Sequence, residues 1–157
     1  MGESAGGNLA LQILQDCLAN RLSMPRAVGL LSPWCDLVGC GDSHHLLDGV
    51  DPTLGYQYLQ DAARCYCGDQ DATAIEVSPL WGQFSSAMPP TFISTGTRDF
   101  LLSDAIRLAG RLRQADVSVE LNVWEGMWHV FEFYPEIPEA RQSINMLTKF
   151  LKSHLNV

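Results

Sequence analysis

The chain has 157 residues, 46% hydrophobic and 18% charged, with a formal net charge of -8 at pH 7. Its ten Lys and Arg are scattered, which argues against a nucleic-acid partner and against an anionic membrane surface. No apolar run reaches the roughly 20 residues that span a bilayer, and no leader pattern precedes Gly2-Glu3-Ser4, so a soluble cytoplasmic protein is expected.

In chain order, Ala5 to about Leu18 reads as a helix, with Ala10, Leu14, Cys17 and Leu18 on one face. Arg26 to Ser32 follows, its Ala27, Val28, Leu30 and Leu31 forming a short apolar run that Pro33 stops. Such a run fits a strand buried on both faces of a parallel sheet. Residues 35–90 are the least regular. Glycines and Pro52 punctuate them, and only Tyr56 to Tyr66 looks helical. Thr91 to Thr95 reads as a strand. Ser103 to Gln114 reads as a helix with Ala105, Leu108, Ala109 and Leu112 on one face. Val119, Leu121 and Val123 alternate as a strand. Pro138 then opens a long helix striped by Ala140, Ile144, Leu147 and Leu151. Strands alternating with helices imply one α/β domain over 1–157, with a parallel sheet and right-handed crossovers.

The cysteines, Cys17, Cys35, Cys40, Cys65 and Cys67, are odd in number and lack C-x-x-C spacing. A reducing compartment is the simplest reading. Cys65 and Cys67 fall two apart on a helix and point in different directions. His44 and His45 lie near Cys40 and Asp42, but without metal-ligand spacing, so solvated surface is expected there and no metal.

Gly2-Glu3-Ser4-Ala5-Gly6 fits G-x-S-x-G, the tight strand-to-helix turn that exposes a nucleophilic serine. Small residues flank that serine because the chain passes close to itself. The helix start also places backbone N–H groups where negative charge develops. Thr95-Gly96-Thr97-Arg98-Asp99 sets an acid just past a buried strand, where open α/β sheets hold their sites. Gly126-Met127-Trp128-His129-Val130-Phe131 sets a histidine past the next strand. The chain order Ser4, Asp99, His129 is the one expected of a serine hydrolase on such a sheet.

These segments resemble the hormone-sensitive-lipase-like carboxylesterases of the α/β-hydrolase superfamily. Gly2-Glu3-Ser4-Ala5-Gly6-Gly7-Asn8-Leu9 looks like that family's nucleophile elbow, and Leu31-Ser32-Pro33-Trp34-Cys35-Asp36 like its next strand end. Ser78-Pro79-Leu80, Pro89-Pro90-Thr91, the loop Asp99 to Asp104 and the loop Trp124 to Phe131 match in order. The resemblance implies Ser4 as nucleophile, Asp99 as orienting acid, His129 as general base and the Ala5 N–H as an oxyanion donor. It implies two-step acyl transfer on a small-molecule ester with a short acyl chain, without cofactor.

Complete members carry an upstream Gly-rich oxyanion loop and earlier strands. The expected architecture is therefore the C-terminal part of the fold: three parallel strands with flanking helices, the N-terminal half of the sheet absent. Its open edge near Val28 would invite self-association. Among the aromatics Trp34, Trp81, Trp128, Phe131 and Phe133, packing is expected for most. Trp128 and Phe131, flanking the base, are the candidates for substrate contact. Asp104 is an alternative acid, although its place suits a first helical turn. His154, in a last turn, has no expected role. Two rivals stand beside ester hydrolysis: a non-catalytic remnant or ligand-binding protein on the same scaffold, and an amidase or thioesterase using the same triad.

Overall fold

The computed structural model describes residues 1–155. The elements are β1 (Gly2–Glu3), α1 (Ser4–Ala19), β2 (Val28–Leu31), α2 (Ser43–Leu46), α3 (Tyr56–Cys67), β3 (Thr91–Gly96), α4 (Leu102–Gln114), β4 (Val119–Trp124) and α5 (Pro138–Leu155). The strands form one parallel sheet in the order β1-β2-β3-β4. Four strands stand where three were expected. The extra one is only two residues long, too short for any periodicity to announce it, and it pairs Gly2 with Leu30 and Glu3 with Leu31.

Every residue of β2 and β3 is buried, as a sheet covered on both faces requires. Val28, Leu30 and Ile93 pack with Leu11 and Leu14 of α1 and with Ala105, Leu108, Ala109 and Leu112 of α4. The opposite face carries Leu31 and Phe92 against Leu147, with Met146, Phe150 and Leu151 of α5 beside them. The strand alternation assigns the two layers. Gly29 belongs to the α5 face, where a Cβ would collide with Leu147 Cδ1.

The α4 stripe is the one read from the sequence. On α1 the buried positions are Gly7, Asn8, Leu11 and Leu14, so the contact face is rotated from the expected one. On α5, Ser143 is buried and Ile144 is 37% exposed. A polar residue replaces the expected isoleucine because Ser143 Oγ bonds Glu132 Oε1 at 2.7 Å. The irregular stretch 35–90 has a core of its own. Trp34, Leu37, Leu59, Ala63, Cys67 and Val77 pack with Phe100 and Leu101, which seats this stretch on the loop that follows β3. No helix among the described residues is long and apolar enough to cross a membrane.

The turn from β1 into α1 explains its glycines unequally. A Cβ at Gly2 would collide with Gly6 O, and one at Gly7 would lie 2.9 Å from Pro33 Cβ, whereas Gly6 has nothing within 4 Å. Gly2→Ala is therefore expected to lower stability by about 1–3 kcal/mol. Gly6→Ala should be neutral or gain about 0.5–1 kcal/mol from the helix propensity of alanine. Thermal unfolding of the two variants checks this, and equal losses would contradict it.

Candidate active site

Ser4, Asp99 and His129 each lie beyond the carboxyl end of a strand, β1, β3 and β4 in turn. Ser4 directly follows β1 and takes φ 49°, a left-handed conformation that a non-glycine residue holds only under constraint. Its carbonyl accepts the Trp34 N–H at 3.0 Å, tying the turn to the segment after β2. No side chain caps the N-terminus of α1, so its first N–H groups are available to an anionic oxygen beside Ser4. Ala5 supplies one of them and is exposed.

Asp99 lies in the turn after β3 and is fully buried. Its Oδ1 meets His129 Nδ1 at 3.2 Å and accepts the Leu101 N–H at 2.9 Å, while Oδ2 accepts the Thr95 hydroxyl at 2.7 Å. Burial pushes this carboxyl up. The bond and charge of His129, with the Ser32 and Thr95 hydroxyls, outweigh burial and hold it below the usual carboxylate range. With Nδ1 committed to Asp99, Nε2 is the imidazole nitrogen left for chemistry.

The acid and histidine loops are laced together. Thr97 N donates to Trp124 O, Arg98 N to Met127 O and Gly126 N to Thr97 Oγ1, at 2.8–2.9 Å. Gly96 has to be glycine here, because a Cβ would collide with Met127 O. Val130, next to the histidine, takes φ 47°, a costly conformation for a β-branched residue. Its N–H is held by Ser32 Oγ at 3.0 Å. Strain of this kind, pinned by a hydrogen bond from a neighbouring strand end, fixes where the imidazole sits.

Ser4 and His129 line one cleft of about 370 Å³ together with Glu3, Thr53, Leu54, Tyr58, Val130, Phe133 and Tyr134. The remaining expected positions fall differently. Phe131 is fully buried and packs against Trp124, with ring centroids 5.9 Å apart, so it is a core residue and Phe133 takes the place at the cleft wall. A 3-10 turn over Phe131–Phe133 carries the two rings in different directions. Trp128 is half-buried and edge-on to Tyr134, which lines the cleft, while Trp128 is not among the lining residues.

Asp104 is occupied elsewhere. Its Oδ2 accepts the Cys35 and Asp36 N–H groups at 3.0 and 2.9 Å, and its Oδ1 lies 2.7 Å from His44 Nε2. His44, expected at the solvated surface, is therefore buried at 2% exposure. Burial pushes the Asp104 carboxyl above its ordinary range, with His44 opposing. His154 Nδ1 lies 2.8 Å from Phe150 O at the end of α5.

Ser32, Thr95 and Asp51 bond the acid or the histidine segment, a contact that the motifs did not assign to them. Ser32 and Asp51 reach across gaps of 98 and 78 residues that no local pattern spans, whereas Thr95 lies four residues before Asp99. For Asp51 a local sign existed: Asp51-Pro52-Thr53 is the composition of a side-chain-capped turn.

Known proteins share this fold. A family model described as "alpha/beta hydrolase fold" matches residues 1–133. The chain is 31% identical to an esterase of Acinetobacter venetianus, over 97% of this chain and 50% of that protein. It is 31% identical to an acetyl-hydrolase of Streptomyces hygroscopicus, over 97% of this chain and 51% of that one. Among solved structures, a hormone-sensitive lipase from a metagenome library superposes with a TM-score of 0.93 at 32% identity, covering 98% of this chain and 53% of the other. The chain thus spans about half the length of the curated relatives it matches.

Proposed function

Because the chain belongs to the α/β-hydrolase fold family, we propose that it is a serine hydrolase of carboxylic esters, with Ser4 as nucleophile, His129 as general base and Asp99 as the acid that orients it. His129 Nε2 takes the Ser4 hydroxyl proton as Oγ attacks the ester carbonyl. The N–H of Ala5 donates to the oxyanion, and the alcohol leaves with the proton from His129. A water then gives its proton to His129 and attacks the acyl group, which departs as the carboxylic acid and restores Ser4. Asp99, held ionised, keeps the Nδ1–H tautomer and stabilises the imidazolium formed in both steps.

One observation carries the reading: a buried Asp99–His129 pair opens onto the same cleft as a serine held in a left-handed turn at a helix start. The cleft supports small substrates. Its walls are the side chains of Thr53, Leu54, Tyr58, Phe133 and Tyr134, apolar enough for a short acyl group. Similarity to a protein named acetyl-hydrolase points the same way. The test is turnover of p-nitrophenyl acetate, butyrate and palmitate beside the matching anilide and thioester. Ester turnover that declines with chain length is expected. Faster cleavage of the anilide or thioester, or no ester turnover, would overturn the reading.

A further inference from the structure

Asp51 lies in the stretch 35–90, far from every motif, yet it is only 5% exposed and its carboxylate receives five hydrogen bonds. Oδ1 accepts the Thr53 N–H and hydroxyl, both at 2.8 Å, and the Leu54 N–H at 3.2 Å. Oδ2 accepts the Phe100 N–H at 2.9 Å and the His129 N–H at 3.2 Å. One side chain therefore joins three segments. These are the cleft wall at Thr53 and Leu54, the backbone next to Asp99, and the backbone of His129 itself.

Asp71 provides an internal comparison. It makes the same local turn, accepting the Thr73 N–H and hydroxyl at 2.8 Å, but it is exposed and bonds neither loop. A capped turn by itself therefore needs only one carboxylate oxygen. The second oxygen of Asp51 reaches residues distant in the chain and adjacent to the reacting groups.

We infer that Asp51 is a positioning residue for the hydrolytic site: through Phe100 and His129 it sets the separation of Asp99 and the imidazole, and through Thr53 and Leu54 it fixes the facing wall. The inference rests on the ester-hydrolase reading and deepens it. Backbone held by a buried carboxylate is stiff, because releasing it strands two buried N–H groups. Misplacement of a catalytic group by about 1 Å can cost on the order of 10²-fold in rate.

The test is Asp51→Asn beside Asp71→Asn in the whole chain. An asparagine at 51 has one oxygen and one NH2. The oxygen is retained where three donors converge, so the NH2 turns toward Phe100 and His129 and the loss falls on the catalytic side. The expected result is a kcat lower by about 10- to 100-fold, with KM within about twofold and Asp71→Asn unchanged. Folded fraction is measured alongside, by near-UV circular dichroism. A kcat per folded molecule equal to the parent's would overturn the inference, and so would a loss shared by Asp71→Asn. A second readout does not depend on activity: amide exchange at His129 and Phe100 should accelerate in Asp51→Asn only. Were the parent chain to cleave no ester, the function reading would fail alone. Unchanged exchange at those two amides would sink the positioning role.

Discussion

A Ser4→Ala variant is expected to lose ester turnover by about 10⁴- to 10⁶-fold while folding as the parent does. The size follows from the chemistry. Removing Oγ removes the atom that forms the acyl bond, and only substrate binding and oxyanion donation persist. Folding should be spared because the contact that ties Ser4 into the turn is made by its carbonyl, which accepts the Trp34 N–H, and alanine keeps that carbonyl. Nor does the left-handed backbone distinguish the two residues, since both carry a Cβ at φ 49°. Steady-state kinetics with p-nitrophenyl butyrate and a thermal melt give both numbers. Turnover surviving the substitution would mean that another nucleophile acts.

Asp99→Asn carries the second large effect. A fall in kcat of about 10⁴-fold is expected, because a neutral amide neither selects the Nδ1–H tautomer of His129 nor stabilises its imidazolium. The loop should persist. An amide oxygen can still accept the Leu101 N–H, and the NH2 can donate to Thr95 Oγ1, so those two contacts have replacements.

The same substitution predicts a pH effect on stability. The Asp99 carboxyl is held below its ordinary value in the folded chain, so it binds protons less readily there than when unfolded. It therefore contributes stability above the ordinary carboxylate range and loses it as the pH falls through the depressed folded value. At neutral pH the parent should melt above Asp99→Asn, and the gap should close on acidification below about pH 4. Melting curves across that window check the sign, and a gap that widens in acid would contradict it.

How much of this was readable in the residues depends on distance along the chain. The α4 stripe of Ala105, Leu108, Ala109 and Leu112 was legible because helical periodicity is local and one face meets one sheet. The placing of Ser4, Asp99 and His129 beyond the carboxyl ends of β1, β3 and β4 was legible too. Strand ends in a parallel sheet all point one way, and a residue just past a strand needs no further information to be placed. The failures share a cause. His44 looked like a surface residue because its partner Asp104 lies far along the chain, and only the folded structure brings them to 2.7 Å. Phe131 was placed at the cleft on proximity to His129. The 3-10 turn after Val130 instead sends it inward and leaves Phe133 68% exposed. Asp51 sits in the stretch with the weakest pattern, and the role inferred for it rests on two backbone N–H groups that no side-chain code announces.

The most direct test is chemical capture of the nucleophile. A p-nitrophenyl alkylphosphonate reacts with a serine only where a base withdraws its proton and donors hold the developing charge. Peptide mass spectrometry should find one phosphonyl adduct per chain, on Ser4, formed as one equivalent of nitrophenol leaves, and formed far more slowly in His129→Ala. An adduct on another side chain, or labelling of Ser4 at an undiminished rate without the imidazole, would contradict the account.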